Sequence, residues 1–572
     1  MTTVTNQAAA NAASAPFTVA QYLLTRLVEL GVSKVFQVPG DYVSKFMAAL
    51  DAFPGIEAVG DVHELGAGYA ADGYARALGG FGAVSVQYGV GSFSALNAVA
   101  GAYVERNPVV VISASPSTAN RQVARQQGIL FHHSTGDFEA DRDVFAQVTV
   151  ASEVLRDAAL APGQIDAALV AALTHRQPVY LEAYQNVWGD PCRPPEGRLA
   201  PLPPASDLDA LKAALDLTVE KLKAAQRPLL LLGVEIARYG LAEQAQQLVD
   251  QSGLQFTTTL LGKTVLDESQ PAFIGTYAGP ASIASTREIV NASDFVLALG
   301  AIFTDDYLYF MGQHFDAMTL SDDQGLRIGA AHYRDVAMQD FLAGLLSRVA
   351  EFARPPIPGP NTLPLFVDES VDKSRLDYNT FFAHLTDHLF EHKLTRSTRL
   401  ILGESSSLYV ASNISHLPAG SFIGDAAWGS LGHETGCAIG VALATGAKPV
   451  VVAGDGGFMM VCQSLSTLAR NRVESVVFVM SNQVYAIEQA FVDDKAFLPD
   501  GEFAPFDVLP AWDYAGVAAA FGARSFKVDS LGQLGEVLTQ AFAVEGGPAL
   551  VEVAISDKDL APQIKRLVDN TP

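Results

Sequence analysis

From Phe17 to about Asp190 the chain alternates stretches with apolar residues at helical spacing, such as FTVAQYLLTRLVELG, with short apolar runs such as KVFQVPG, GAVSVQYG and PVVVISAS. Runs this short and this rich in β-branched residues read as strands buried on both faces. Strands that alternate with helices require crossover connections, so the pattern specifies a parallel sheet covered by helices. It recurs twice. A Pro-rich break, PCRPPEGRLAPLPPASD, precedes a second unit containing PLLLLGV and FVLALG, and RPPIPGPNTLP precedes a third containing LILGES, SFIGDAAWG, PVVVAGDG, VVFVMSN and PALVEVAI. The expected fold class is α/β, three consecutive domains with central, mostly parallel sheets flanked by helices, over 17–190, 207–350 and 378–556. Residues 1–16 are expected to be flexible, 191–206 and 351–377 to be linkers, and 557–572 to form a C-terminal tail.

Composition narrows the function. Apolar residues make up 49% of the 572 residues and charged residues 17%, below the roughly 25% of average proteins, so burial must be extensive. A formal charge of −25 and a pI near 4.7 would repel nucleic acid and anionic membranes. No stretch reaches the ~18 uninterrupted apolar residues of a membrane span. Any phosphate ligand must therefore be held by local groups. Cys192, Cys437 and Cys462 lack CxxC spacing and cannot all pair, which suits core thiols in a reducing compartment rather than structural zinc. The opening MTTVTNQAAANAASAP has no basic region followed by an apolar core, so a cytoplasmic protein is expected.

The strongest local signal is KPVVVAGDGGFMMVCQSLSTLAR. A β-branched run ends at Gly454-Asp455-Gly456-Gly457 and passes into a helix whose apolar face is read from Phe458, Val461, Leu465 and Leu468. Ligands of open parallel sheets bind at the carboxyl ends of strands, where the free amides of a helix N-terminus attract anions. The next strand, VESVVFVM, ends at Ser481-Asn482, so one crossover puts Asp455 and Asn482 at neighbouring strand ends. A carboxylate, an amide oxygen and a backbone carbonyl form a hard oxygen set suited to Mg2+, which bridges to substrate phosphates. The competing reading of GDGG is a tight turn with Asp as a helix cap. The placement of Asn482 favours the metal.

The GDG motif followed by Asn482 resembles the diphosphate and metal motif of thiamine-diphosphate enzymes. The segments VPGDY, HELGAGYAADGYAR, GVGSFSALNAVAGAYVERNPVV, HHSTGDF, LLGKTVLDESQPAFIGTY, WGSLG and NQVYAIE resemble, in order, those of the 2-oxo acid decarboxylases that act on pyruvate, indolepyruvate or phenylpyruvate. The resemblance spans nearly the whole chain. It implies a pyrimidine-binding, a central and a diphosphate-binding domain, with thiamine diphosphate and Mg2+ as cofactors and a small 2-oxo acid as substrate. CO2 would leave while the cofactor acts as electron sink. Glu64 matches the glutamate that hydrogen-bonds the aminopyrimidine ring. Gly429 matches the residue whose carbonyl receives the amino group, and Leu431 the apolar wedge under the cofactor. Ser405, Ser407, Gly454, Asp455, Gly456, Gly457, Asn482 and Tyr485 complete the implied cofactor contacts. The implied metal ligands are Asp455, Asn482 and Val484.

Adjacent histidines such as His132 and His133 point in different directions and lack helical metal spacing. By the resemblance they join Asp41 and Glu488 as the four groups that handle protons during aldehyde release. Singly, Asp41 could cap a turn and Glu488 could be a surface carboxylate. Ile283, Tyr409, Ile487 and Phe491 match the substrate pocket, and Ile283, where pyruvate-preferring relatives carry a bulkier aromatic, points to aromatic or longer aliphatic 2-oxo acids. A carboligase similar to acetohydroxyacid synthase, a pyruvate-preferring decarboxylase and a non-catalytic thiamine-binding protein are the alternatives. The histidine pair and Glu488 favour a decarboxylase over the synthase. Two departures stand out. SNQV carries Ser481 and Val484 where relatives have Asn and Gly, so the Val484 carbonyl can serve only if the backbone there avoids positive φ. The stretch after Glu488, QAFVDDKAFLPDGEFAPFDVLPAW, also differs and is expected to cover the pocket. The resemblance further implies a homodimer with active sites between subunits, Glu64 of one serving Asp455 of the other, and pairing of dimers into a homotetramer.

Overall fold

The computed structural model of the chain describes residues 16–203, 205–357 and 363–570. The expected flexible stretch 1–16 lies, apart from its last residue, outside the described residues. In the first unit β1 (Lys34–Gln37), β2 (Glu57–Gly60), β3 (Gly82–Ser85), β4 (Val109–Ser115), β5 (Ala151–Leu155) and β6 (Val179–Tyr184) are all parallel, in the order β2-β1-β3-β4-β6-β5. β4 is buried along its whole length, which is why it reads as an unbroken run rather than an alternation.

The central unit holds β7 (Pro228–Leu232), β8 (Gln255–Thr259), β9 (Phe273–Tyr277), β10 (Phe295–Leu299), β11 (Met318–Asp322), β12 (Gly325–Ile328) and β13 (Ala331–Tyr333). Their order is β13-β12-β11-β10-β7-β8-β9, and only the pairings of β12 with β11 and with β13 are antiparallel. The third unit contains β14 (Thr398–Leu402), β15 (Phe422–Gly424), β16 (Lys448–Gly454), β17 (Val476–Ser481), β18 (Arg524–Val528) and β19 (Ala549–Ala554), again all parallel. Its order, β15-β14-β16-β17-β19-β18, repeats that of the first unit. The chain thus builds one doubly wound sheet twice, and each presents a crevice at its strands' carboxyl ends.

These two units meet through the helices Glu64–Leu78 and His433–Thr445. The contact is close enough to exclude a Cβ. One added to Gly440 would overlap the Ala70 carbonyl, and one added to Gly73 would overlap the Cys437 carbonyl. Cys437 is fully buried in this seam, whereas Cys192 and Cys462 are half-buried, so only one of the three thiols expected in cores lies in one. They sit at cluster margins, where a small weakly polar side chain is equally well accommodated.

Two further expectations change. Phe458, Val461, Leu465 and Leu468 share one fully buried face, but on two helices, Asp455–Val461 and Ser464–Arg470, rather than one. Periodicity reports the buried side and survives a short interruption at Cys462 and Gln463. The expected tail contains the helix Pro562–Asp569, started by proline at its first turn. Ile564 joins the third core, and Arg566 donates to the carbonyls of Pro280 and Ala281 and pairs with Glu369.

Gly440→Val should therefore cost more than about 2 kcal/mol, because the neighbour it strikes is helix backbone. Gly535→Ala, on the helix Leu531–Phe542 with open space around it, should be neutral or stabilise by about 0.5 kcal/mol. Thermal unfolding of the two variants checks the contrast; equal melting temperatures would mean the seam is not tight.

Candidate functional site

The carboxyl ends of β16 and β17 place Asp455 and Asn482 side by side. Asp455 opens the helix Asp455–Val461, with Gly454 as its cap. Its carboxylate accepts the backbone N–H of Gly456 (2.9 Å), Asn482 (3.1 Å) and Gln483 (2.7 Å). Burial nevertheless pushes its pKa up to about 6, with those N–H groups pulling the other way. Tyr485 folds its ring over Gly456, where any Cβ would overlap it. The left-handed residue in SNQV is Gln483 (φ 59°), and Val484 is outside the positive-φ region, so the backbone condition at Val484 is met.

A cavity at this point is lined by Glu404, Ser405, Gly429, Leu431, Gly454 to Gly457, Asn482, Val484, Tyr485, Ile487 and Glu488, with Tyr378, Ser406 and Ala486. Most of the third-domain residues named from the sequence thus come together. Ser407 does not line the cavity: two residues on from Ser405, it is fully buried, and its hydroxyl finds no partner among the described residues. The Asn482 side-chain amide reaches the Tyr378 hydroxyl at 3.4 Å. Gly429 (φ 66°) sits in a loop fixed from below by Glu105, which accepts the N–H groups of Ala427 (2.7 Å) and Trp428 (3.2 Å).

The first sheet gathers a second set. Asp41 follows β1, Glu64 follows β2 as the first residue of its helix, and His132 and His133 lie in the loop that returns from β4. Asp41 accepts Gln87 Nε2 at 2.6 Å, and the Tyr88 hydroxyl donates to the His132 carbonyl. His133 adopts φ 68°, and its ring stands edge-on to Tyr42 and Tyr88 with centroids 6.3 and 6.0 Å away. Gly89 (φ 65°) lies directly beneath the His133 carbonyl, where a Cβ would overlap it. Glu64 Oε1 overlooks Gly91, 3.3 Å from where a Cβ would stand. None of these groups lines the third-domain cavity of the same chain.

The substrate wall differs from expectation. Ile283 is not brought to the cavity; it precedes the helix Ala284–Ala292 and rests against Gly275 of β9, because packing of the central sheet turns it inward. Tyr409 is buried behind Ser405, and its hydroxyl donates to Asp306 of the central unit at 3.2 Å. Phe491 is half exposed, one helical turn beyond Ile487. The stretch after Glu488 does not cover the cavity in the single chain. It folds back on its own domain through Tyr485 N–H to the Asp507 carbonyl, Leu509 N–H to the Gln483 carbonyl, and Lys558 bound to the carbonyls of Ala496 and Gly501. Glu404, Asp306, Gln87 and Tyr378 were not singled out from sequence. Glu404, Asp306 and Gln87 follow strands β14, β10 and β3, so the carboxyl-end rule that found Asp455 would have found them.

The residues fit a diphosphate held through a divalent ion. Asp455 is a buried carboxylate with no cationic partner, and the Val484 carbonyl accepts no hydrogen bond among the described residues. No group of three or more His, Cys, Asp or Glu able to hold a metal occurs among the described residues. An ion here would rest on Asp455, Asn482, the Val484 carbonyl and ligand oxygens.

Residues 17–138, 215–340 and 405–553 match, respectively, the N-terminal TPP binding, central and C-terminal TPP binding domains of thiamine pyrophosphate enzymes. The chain is 31% identical to an alpha-keto-acid decarboxylase of Mycobacterium leprae over 96% of its own length and 94% of the relative's. It is 32% identical to the protein of that name from Mycobacterium tuberculosis strain H37Rv, covering 96% and 97%. A solved structure of a putative thiamin diphosphate-dependent enzyme from Mycobacterium smegmatis shares the fold, with a TM-score of 0.72, 21% identity and coverage of 94% and 99%.

Glu404 gives the cavity a measurable signature. Burial, then Asp306 and Glu488 nearby, push it up to about 8, while Tyr409 acts in the opposite sense. A carboxyl raised by folding contributes stability that is complete below its unfolded pKa of ~4.5 and is lost as pH rises through the folded value. The cofactor-free protein should therefore lose melting temperature between pH 5 and 8.5, and Glu404→Gln should lose less. Parallel slopes for the two proteins would show that Glu404 ionises freely.

Proposed function

The chain belongs to the thiamine-diphosphate-dependent 2-oxo acid decarboxylases and releases CO2 from a 2-oxo acid without oxidation; from that premise we propose that each active site is assembled by two chains. Thiamine diphosphate, when bound, supplies the nucleophilic carbon and the electron sink for decarboxylation. Asp455, Asn482 and the Val484 carbonyl would hold Mg2+. The amides of Gly456 and Gly457 with Ser405 would hold the diphosphate. Leu431 and Tyr485 would support the rings, and the Gly429 carbonyl would accept the aminopyrimidine N–H. Glu64 of the second chain would hold a proton at the pyrimidine nitrogen, favouring its imino form. Asp41, His132 and His133 of that chain, with Glu488 of the first, would place and remove protons as the aldehyde forms. Such groups typically contribute roughly 10² to 10⁴ in rate.

The observation that carries the two-chain reading is the division of these side chains. Every cavity residue falls between Tyr378 and Glu488, while Asp41, Glu64, His132 and His133 cluster on the first sheet. Apolar side chains lie exposed beside both sets: Val62 and Val90 near Glu64, Trp428 next to Gly429, and Met460 in the last turn of the helix of Asp455. Burial of such residues against a second copy favours a dimer, and we extend the reading to paired dimers in the cytoplasm. Leu431, Val484 and Ile487 make the cavity largely apolar, and Phe491 lies on the same helical face as Ile487. This supports aromatic or longer aliphatic 2-oxo acids over pyruvate.

Chelation and gel filtration should leave a protein that regains aldehyde release only when both thiamine diphosphate and Mg2+ return, and Asp455→Ala should not regain it. Full activity of Asp455→Ala at ordinary cofactor concentration would remove the metal assignment.

Mixing two inactive variants, Glu64→Gln and Asp455→Ala, under conditions of subunit exchange should restore activity. In a mixed dimer one site receives both altered residues and the other receives neither. Persistent inactivity after exchange has been demonstrated by mass spectrometry would mean that each chain builds its own site.

A further inference from the structure

The two histidines of the first unit take their place from backbone and ring packing. The Tyr88 hydroxyl donates to the His132 carbonyl, and the His133 ring stands edge-on to Tyr42 and Tyr88. The His133 carbonyl lies against Gly89 with no room for a Cβ between them. Both imidazoles are exposed in the single chain, so their direction is set from beneath. What lies beneath is one turn, Tyr88 to Ser92, which opens the helix Val90–Val104.

That turn is held by a residue from beyond the histidines. Gly89 caps the helix at φ 65° and has no side chain with which to do so. The first N–H groups of a helix have no partner within it, so an acceptor must come from elsewhere. Asp141 supplies one: its Oδ2 accepts the Gly89 N–H at 2.7 Å and the Ser92 hydroxyl, and the Tyr180 hydroxyl stands 3.4 Å away. Asp141 is 5% exposed, and Ser92 and Tyr180 are fully buried. It belongs to the helix Ala140–Phe145, directly after the histidine loop, and Phe138 ahead of it packs under the Arg121 guanidinium at 4.6 Å. The loop thus returns to the turn that carries it.

The choice of a carboxylate is informative. Burial raises the pKa of Asp141, while the Ser92 hydroxyl and the Gly89 N–H act in the opposite sense, and no cation contributes. A carboxylate buried without a cation gives back in desolvation much of what its hydrogen bonds contribute, so a neutral acceptor would cap the turn at less cost to the fold. What the charge adds is stiffness. Hydrogen bonds to an ionised acceptor are shorter and roughly twice as strong as neutral ones, and here two converge on one oxygen at the positive end of a helix.

We propose that Asp141 is a positioning residue for aldehyde formation, clamping the turn Tyr88 to Ser92 so that His132 and His133 are aimed at the reacting atoms. The inference rests on the reading of that pair as proton-handling groups and adds the group that aims them. A misplacement of about 1 Å can cost about 10²-fold in rate. Asp141 acts from beneath the turn, so its loss should fall on kcat and spare cofactor affinity.

The test uses the full chain loaded with thiamine diphosphate and Mg2+, assayed well below the melting temperature of every variant. The substrate is pyruvate or phenylpyruvate, whichever the wild type turns over faster. Asp141→Ala should lower kcat by about 10²-fold with an unchanged dissociation constant for thiamine diphosphate. Asp141→Asn, whose amide oxygen can still accept from Gly89 and Ser92, should recover most of that loss. In a chain that already carries His132→Ala and His133→Ala, Asp141→Ala should cost about twofold or less, since groups that act through one another are not additive. A purely structural defect would cost the same in both backgrounds. Position is read directly from diethyl pyrocarbonate modification followed by mass spectrometry: Asp141→Ala should change the reaction rates of His132 and His133 and leave that of His332, exposed on β13, as it was. Ser92→Ala removes one of the two donors and carries the same comparisons should Asp141→Ala not fold.

Full activity of Asp141→Ala, an equal loss in the histidine-free chain, or a lowered kcat with His132 and His133 reacting as in the wild type would each overturn the role of Asp141. Wild-type aldehyde release by the His132→Ala, His133→Ala chain would instead sink the reading of the histidine pair, and this inference with it.

Discussion

Arg76 is the ion on which the arrangement of the two sheet units depends. It lies in the seam between them and binds Asp72 at 2.6 Å, Glu105 at 2.5 Å and the Gly424 carbonyl at 3.0 Å, with almost no exposure of the charged side chains. Each partner carries the contact onward. Asp72 also meets His433 Nε2 at 2.7 Å and Asn107 Nδ2 at 3.0 Å. Burial alone would raise Asp72, but Arg76 and His433 outweigh it and hold it well below the usual carboxylate range. Glu105 takes the backbone of Ala427 and Trp428, and Asp425, whose pKa burial and Glu105 push well above the usual carboxylate range, takes the Ser430 N–H at 2.8 Å. One buried cation thus fixes the loop that presents Gly429 and Leu431. Removing one partner of such a network typically costs about 3 to 5 kcal/mol, since the others remain buried and unpaired.

The repeated strand order makes the consequence general. Two sheets of the same order, joined through the helices Glu64–Leu78 and His433–Thr445, carry two sets of polar groups at their carboxyl ends. One set has acids and histidines with almost no phosphate-binding backbone, and the other has Gly454 to Gly457 and Asp455 with few proton carriers. On the proposed two-chain reading, neither set alone would be a complete catalyst. The central unit, with two antiparallel pairings at one side of its sheet, also touches the third unit, one contact being the turn that brings Asp306 to Tyr409.

What could be read from the sequence depended on how local its cause was. The strand runs, the GDGG turn and the pairing of Asp455 with Asn482 follow from residues close in the chain and from the rule that one crossover joins adjacent parallel strands. The left-handed backbone beside Val484 belongs to Gln483 rather than to the substituted position, a distinction that only the turn itself could make. Ile283 lies away from the cavity lining of this chain, packed beside Gly275 on another strand. Asp306 and Glu404 went unmarked because an acidic residue after a strand gains meaning only from what packs beside it. The final helix was missed for the same reason: its support comes from Glu369 and the carbonyls near Pro280, both far away in sequence.

An acidic chain that handles an anionic cofactor and an anionic substrate must avoid facing them with bare carboxylates. Burial achieves this before anything binds. Asp455, raised to about 6, and Glu404, raised to about 8, hold protons more tightly than free side chains do. The two are not equivalent. Near neutral pH Glu404 is still largely protonated, so it adds a donor rather than a charge, whereas Asp455 is mostly ionised and needs a cation. A divalent ion at Asp455 would drive off its residual proton and return the desolvation cost as binding, so cofactor loading and metal loading become one event. Asp306 forms no ion pair among the described residues, and the Tyr409 hydroxyl donates to it at 3.2 Å. In the proposed reading a metal and the diphosphate would neutralise the field that burial builds at Asp455.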